Sequence, residues 1–138
     1  MAFNGKLVEL KTGNNYVELP LKYVKAESYT VTPEQRMEIS ANRASTGLLK
    51  RNTLSHTASK IDLETVPVTN SDVAILNTLF SNAFTDAQER KLDLRYYNPA
   101  TDSYNTGTFY MPDTEYHILN INGTTIQYDS VRFAFIEY

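Results

Sequence analysis

Apolar and polar residues alternate with a period of two along much of this chain, and the interruptions divide it into short strands. The stretch 6–10 reads as a strand, the turn Thr12-Gly13-Asn14-Asn15 follows, and a second strand over 16–19 ends at Pro20. Asn and Gly tolerate the positive φ that a tight hairpin turn demands. Residues 22–31 alternate around Tyr23, Tyr29 and Val31 and predict a long strand closed by Thr32-Pro33. Residues 40–52 carry no clean period and predict a long loop with Gly47 inside it. Over 53–65 the alternation returns, placing Leu54, His56, Ala58 and Lys60 on one face before a break at Pro67.

Only one segment has a helical period. Val73, Leu76, Leu79, Phe80, Ala83 and Phe84 recur at three- and four-residue spacing, with Asn70 or Ser71 as the cap and Asp72 in the first turn. This predicts one helix over about 71–86 with a single apolar face. Everything after it reads as strand: 92–97, a turn-rich 98–102, 106–111, a break at Pro112-Asp113, then 116–119. Asn122-Gly123 is a hairpin signal. Over 124–138 the pattern changes parity, with Ile126 and Tyr128 on one face and Val131, Phe133 and Phe135 on the other. A bulge near Asp129-Ser130 would return all five to the core side.

One helix among many strands excludes an alternating α/β scheme, which needs a helix for each crossover. The expected architecture is mainly β, an antiparallel β-sandwich or rolled sheet flanked by that helix. With 138 residues there is one core to build, so 1–138 is expected to be a single β-sandwich domain with the long loop at 40–52. Tyr is unusually frequent, with 10 copies beside 6 Phe and no Trp, which suits pleated, half-buried surfaces.

Charge and cysteine content narrow the function classes. There is no Cys, hence no disulfide and no thiolate for metal binding or nucleophilic attack. The net charge of −3 argues against general nucleic-acid affinity. The first ten residues have neither a basic n-region nor an apolar h-region, so synthesis and folding in a cytoplasm are expected, and no apolar run reaches membrane-spanning length. Charge is nonetheless uneven. From Ile39 to Ile61 there is no acidic residue, while Arg43, Lys50, Arg51 and Lys60 are basic. A solvated loop with chance bias and a contact surface explain this equally well.

Candidate chemistry is sparse. His56 and His117 lie in expected strands without a metal-ligand pattern, and no Gly-x-Ser-x-Gly or phosphate-cradling Gly-rich loop occurs. Asp62 with Glu64, and Asp113 with Glu115, sit one strand step apart and fit the spacing of acid and base pairs, but acids on a solvent face explain them better. Asn122-Gly123-Thr124 matches a glycosylation acceptor, and the hairpin-turn reading is preferred. No catalytic residue, metal site or cofactor is expected. Tyr96, Tyr97, Tyr104, Tyr110 and Tyr116 crowd one hairpin region, where rings with a polar tip suit protein contacts or sugar stacking. Tyr110 and Tyr128 are expected on the sheet face.

Several segments together resemble small tail proteins of long-tailed bacteriophages. They are the Phe3-Asn4-Gly5-Lys6 opening, Tyr23-Val24-Lys25-Ala26-Glu27-Ser28-Tyr29, and Arg43-Ala44-Ser45-Thr46-Gly47-Leu48-Leu49-Lys50-Arg51. The lone helix, Phe109-Tyr110-Met111-Pro112 and the 133–138 ending complete the set. The resemblance to the tail-tube and distal-tail families implies a virion protein made in a bacterial host cytoplasm. It implies a β-sandwich with one helix, joined to copies of itself in a hexameric ring and to other tail proteins through loops and sheet edges. Arg43, Lys50 and Arg51 are then the expected subunit contacts, with the 98–105 turn and its Tyr97 and Tyr104 second. A tail-tip or baseplate hub ring of the distal-tail kind is the preferred place, and a tail-tube or tail-terminator subunit the alternative. From another class, a carbohydrate-binding module stacking sugar on Tyr96 or Tyr104 is the alternative, whereas enzymatic activity from a carboxylate pair is not expected.

Overall fold

A strand buried on one face should alternate in exposure, and Lys91–Asn98 does so at every position, half-buried then buried through eight residues. A computed structural model describes residues 2–138 of the chain, apart from the side chains of 37–40, 50 and 52–56. The strands are β1 (Val8–Thr12), β2 (Asn15–Glu18), β3 (Thr30–Arg43), β4 (Leu49–Glu64) and β5 (Val68–Thr69). Helix α1 (Asn70–Ala83) follows, then β6 (Phe84–Asp86), β7 (Lys91–Asn98), β8 (Ser103–Tyr110), β9 (Ile118–Asn122), β10 (Thr125–Tyr128) and β11 (Arg132–Glu137). The fold is thus mostly strand with one long helix.

The strands form two antiparallel sheets. The larger runs β2-β1-β7-β8-β11-β4-β3, with β6 paired to β7, and the smaller runs β5-β10-β9. Tight turns join the β1–β2 and β9–β10 hairpins; Thr12 faces Asn15, Asn122 faces Thr125, and Gly13 and Gly123 each take a φ of +62°. The parity change expected as a bulge at 129–130 is instead a passage between sheets. β10 belongs to the small sheet and β11 to the large one, so the two halves of the segment answer to different neighbours.

The N-cap of α1 lies one residue before the first expected cap, Asn70. Thr69 is the N-cap: its hydroxyl accepts from the Asp72 N–H at 3.4 Å, and the Asp72 carboxylate accepts from the Thr69 N–H at 3.1 Å. The helix also stops at Ala83, short of 86, because Phe84–Asp86 turns extended and pairs with β7. Its buried residues Leu76, Phe80 and Ala83 lie over the large sheet, where Phe80 meets Phe133 at 4.9 Å and Phe135 at 6.1 Å between ring centres. Val8, Leu10, Ile61, Leu63, Leu92, Leu94 and Phe109 complete that core.

Two further expectations are corrected. The strand foreseen over 22–31 is two 3₁₀ turns, Leu21–Tyr23 and Ala26–Ser28, followed by a strand that starts only at Thr30. Tyr23 and Val24 are both buried there, and Val24 makes only an isolated bridge, to Thr65. Pro33 then fails to end β3. It sits in an edge strand at a register shift between Thr32 and Gln35, where no ladder bond is needed from its nitrogen. Glu34, at φ +49°, donates its N–H to Ser59 Oγ at 3.0 Å.

The second correction concerns the long loop at 40–52. There is none: β3 and β4 continue pairing through Ala41↔Arg51 and Arg43↔Leu49, leaving only 44–48 as a turn. Ala44 and Leu48 close that turn with a 2.7 Å backbone bond, and Gly47 supplies a φ of +90°.

The aromatic stack sets the first expected outcome. Phe135→Ala removes a fully buried ring that packs on Phe80, and should cost about 3–5 kcal/mol in urea unfolding. The cap sets the second. The Thr69 N–H holds the Asp72 carboxyl below its ordinary value of 3.8. Asp72→Asn should therefore destabilise the protein above about pH 4, and the difference should vanish as pH falls through the depressed native pKa. Thermal melts across that range read the difference directly.

Candidate assembly surface

The β3–β4 hairpin leaves the large sheet where β11 stops. β11 covers β4 from Lys60 to Glu64, and from Gln35↔Ala58 outward the described ladder is that of β3 with β4. Eight residue steps from Gln35 to Arg43 make an arm about 27 Å long. Its described outer residues, Ala41–Arg43, Ser45–Leu49 and Arg51, are exposed on both faces.

At the root, buried Ser59 ties the arm to the core. Its N–H donates to Glu137 Oε1 at 2.8 Å, and its Oγ accepts from the Tyr96 hydroxyl at 3.1 Å and from the Glu34 N–H. Glu137 in turn lies against Gly107, where an added Cβ would come within 2.6 Å of Glu137 Oε2. At the tip the order reverses, and apolar side chains face solvent. Leu48 is 71% exposed and Leu49 48%. Arg43 donates to the Gly47 carbonyl at 2.9 Å, which fixes the turn and holds a guanidinium beside the two leucines.

Arg43 and Arg51 therefore stand on the arm, as their shared sequence neighbourhood implied. Lys50 pairs with Asn42 through its backbone, and its side chain lies outside the described residues. Tyr97 and Tyr104 are elsewhere, directly opposite each other near the β7–β8 turn, with ring centres 5.7 Å apart. Their hydroxyls are occupied within the chain. Tyr97 donates to Asp102 at 2.8 Å, which raises its pKa, and Phe3 packs edge-on against its ring at 5.1 Å. The Tyr104 hydroxyl accepts from the Asn4 N–H at 3.0 Å and lies 2.6 Å from both Asn4 Oδ1 and the Lys6 carbonyl. Tyr29 donates to the Tyr97 carbonyl at 2.8 Å, and burial pushes its phenol well above the ordinary value. This cluster pins the N-terminal segment onto the sheet. Tyr96, weighed as a sugar platform, is 2% exposed and belongs to the core.

A second exposed apolar feature was not anticipated. β9 is an edge of the small sheet, all five of its residues are exposed, and Ile118, Leu119 and Ile121 are among them. It lacks the Lys or Pro that usually guard an edge. The signal was present in the order Ile118-Leu119, since neighbouring strand residues point to opposite faces and an edge strand covered on one face leaves one of them outside.

Three of the four carboxylates weighed for acid and base chemistry are ion-paired, and the fourth sits near a histidine. Asp62 meets Arg132 and Lys60, Glu64 meets Lys25 at 4.0 Å, Asp113 meets Arg90 at 2.7 Å, and Glu115 lies 3.7 Å from His117. Among the described residues no group of three or more His, Asp or Glu could hold a metal ion, and no helix is long and apolar enough to cross a membrane. The side chain of His56 lies outside the described residues.

Residues 1–138 match the model of a family described as a family of unknown function (DUF6711). The chain belongs to that family. No curated protein matches it significantly. Among solved structures, a chain from the tail of an empty GTA particle, computed with helical refinement and C6 symmetry, has a similar fold. The two are 12% identical with a TM-score of 0.55, and the match covers 99% of this chain and 95% of that one. The shared property is the fold, over nearly the whole length of both.

Removing the Tyr104 hydroxyl tests the pin. Tyr104→Phe should lower stability by about 1 kcal/mol and speed tryptic cleavage after Lys6. An unchanged cleavage rate would show that these bonds do not hold the segment.

Proposed function

We propose that this family member is a structural subunit of a phage-type tail, assembling with copies of itself into a ring through the β3–β4 arm and the open sheet edges. The observation that carries the reading is the arm. Over some 27 Å of paired strand the described outer residues lie open to solvent, and the far end presents Leu48 and Leu49 with Arg43 and Arg51. Ordering such a ribbon costs conformational entropy that its own core does not repay. A neighbouring subunit can supply the missing contacts. The tail particle whose chain shares this fold supports the same role, since its C6 symmetry suits a six-membered ring.

Within the tail, the helical refinement of that particle favours a repeating tube subunit. The tail-tip ring of the distal-tail kind, suggested by the sequence resemblance, is the second position. In either place the cationic arm would seat on an acidic neighbour, with Arg43, Lys50 and Arg51 in the contact and the Tyr97–Tyr104 turn secondary. Nothing in such a role requires a catalytic group.

The test uses the tip. In sedimentation velocity at rising concentration, the native chain should form a closed species whose mass fits a hexamer. Leu48→Asp combined with Leu49→Asp should abolish it while moving the melting temperature by less than roughly 3 °C, because both sites are exposed. A native chain that stays monomeric at every concentration, or a double variant that assembles as well as the native chain, would sink the proposal.

A further inference from the structure

A cleft of about 330 Å³ opens between α1 and the segment that follows β8. Its walls set Phe80, Phe84, Met111, Pro112, Tyr116 and Phe133 beside polar groups: Asn77 and Ser81 along the helix side, and the Arg90–Asp113 ion pair. The Tyr116 ring meets Tyr128 at 5.9 Å, and its hydroxyl reaches Asn77 Oδ1 at 3.4 Å, so one wall is tied to both the helix and the small sheet. The surroundings are acidic. Asp113 and Glu115 flank the wall and are strongly exposed, and Asp86 and Glu89 occupy the turn that leads into Arg90 and Lys91.

The arm tip is the chemical complement of this cleft. It offers two adjacent exposed leucines, enough aliphatic bulk for a space of this size, among cations with no acid between Ile39 and Ile61. The arm, residues 35–58, carries Arg36, Arg43, Lys50 and Arg51 against Glu38, and the rest of the chain holds nine Lys and Arg against 15 Asp and Glu. The charge of the molecule is therefore divided between a basic arm and an acidic body. Such a division attracts one copy to another head to tail and orients the encounter.

We infer that the cleft between α1 and 111–116 is the seat for the arm tip of a second copy of this chain, with Leu48 and Leu49 entering the apolar floor and the arm's cations facing Glu115, Asp113 and Glu89. This rests on the assembly reading above and names the partner surface within it. Donor and acceptor patches differ, so the contact is heterologous and closes only as a ring.

Because the chain has no Cys, single cysteines report the contact cleanly. Leu48→Cys and Ser81→Cys variants are purified, mixed and treated with a short bismaleimide, with Val17→Cys on the β2 edge as the competing site. The expected result is a covalent dimer that requires both Leu48→Cys and Ser81→Cys. Its yield should fall severalfold between about 0.01 M and about 1 M salt, as the screening length shrinks from about 30 Å to about 3 Å. Equal coupling of Leu48→Cys to Val17→Cys, or to itself, overturns the inference. Sedimentation of the same mixtures separates the two levels. Oligomers without the Ser81 cross-link remove this seat and leave ring assembly standing, whereas monomers throughout remove both.

Discussion

The large sheet is one piece only because β11 lies in its middle. On one side it pairs with β4 through five residue pairs, from Arg132↔Glu64 to Ile136↔Lys60. On the other it meets β8 through Ile136↔Tyr110 and Glu137↔Phe109. Without it the β2-β1-β7-β8 half and the β4–β3 half share no ladder. The same strand carries Phe133 and Phe135, on which the helix rests through Phe80, and Glu137, which receives the Ser59 N–H at the arm root. Sheet continuity, helix docking and arm anchoring are therefore a single packing problem solved at six residues.

That arrangement explains what could be read from the sequence. Wherever one face of an element is buried, the pattern speaks: Leu92, Leu94 and Tyr96 alternate on β7, and Leu76, Phe80 and Ala83 repeat on α1. The fold class and the single helix follow from those stretches. Residues 40–52 failed to announce a strand for the same reason in reverse. The described outer residues there are exposed on both faces of an antiparallel ribbon, and the backbone ladder that pairs the two strands imposes no side-chain period. Pro33 misled for a related reason, since a proline on an edge strand at a register shift interrupts nothing.

The candidate surface was legible in part. The absence of acids from Ile39 to Ile61 pointed to Arg43, Lys50 and Arg51, and the structure gathers that bias onto one projection. Leu48 and Leu49 were passed over because two leucines beside a glycine look like ordinary loop residues until the turn is seen to leave them outside. Tyr97 and Tyr104 were legible as a cluster, but not as a clasp. Their partners Phe3 and Asn4 stand about a hundred positions away, and no local pattern registers that distance.

β4 runs unbroken for 16 residues from the arm tip into the heart of the sheet. A tug on the tip along the arm's axis is therefore delivered lengthwise to the stretch of β4 that β11 grips. There the ladder bonds lie across the direction of pull, so they must slide and fail together and cannot be peeled one at a time. Mechanically, the arm is a tether whose grip is spread over five residue pairs deep in the protein, and its resistance to being drawn out is set at β11, far from the leucines that would hold the other end.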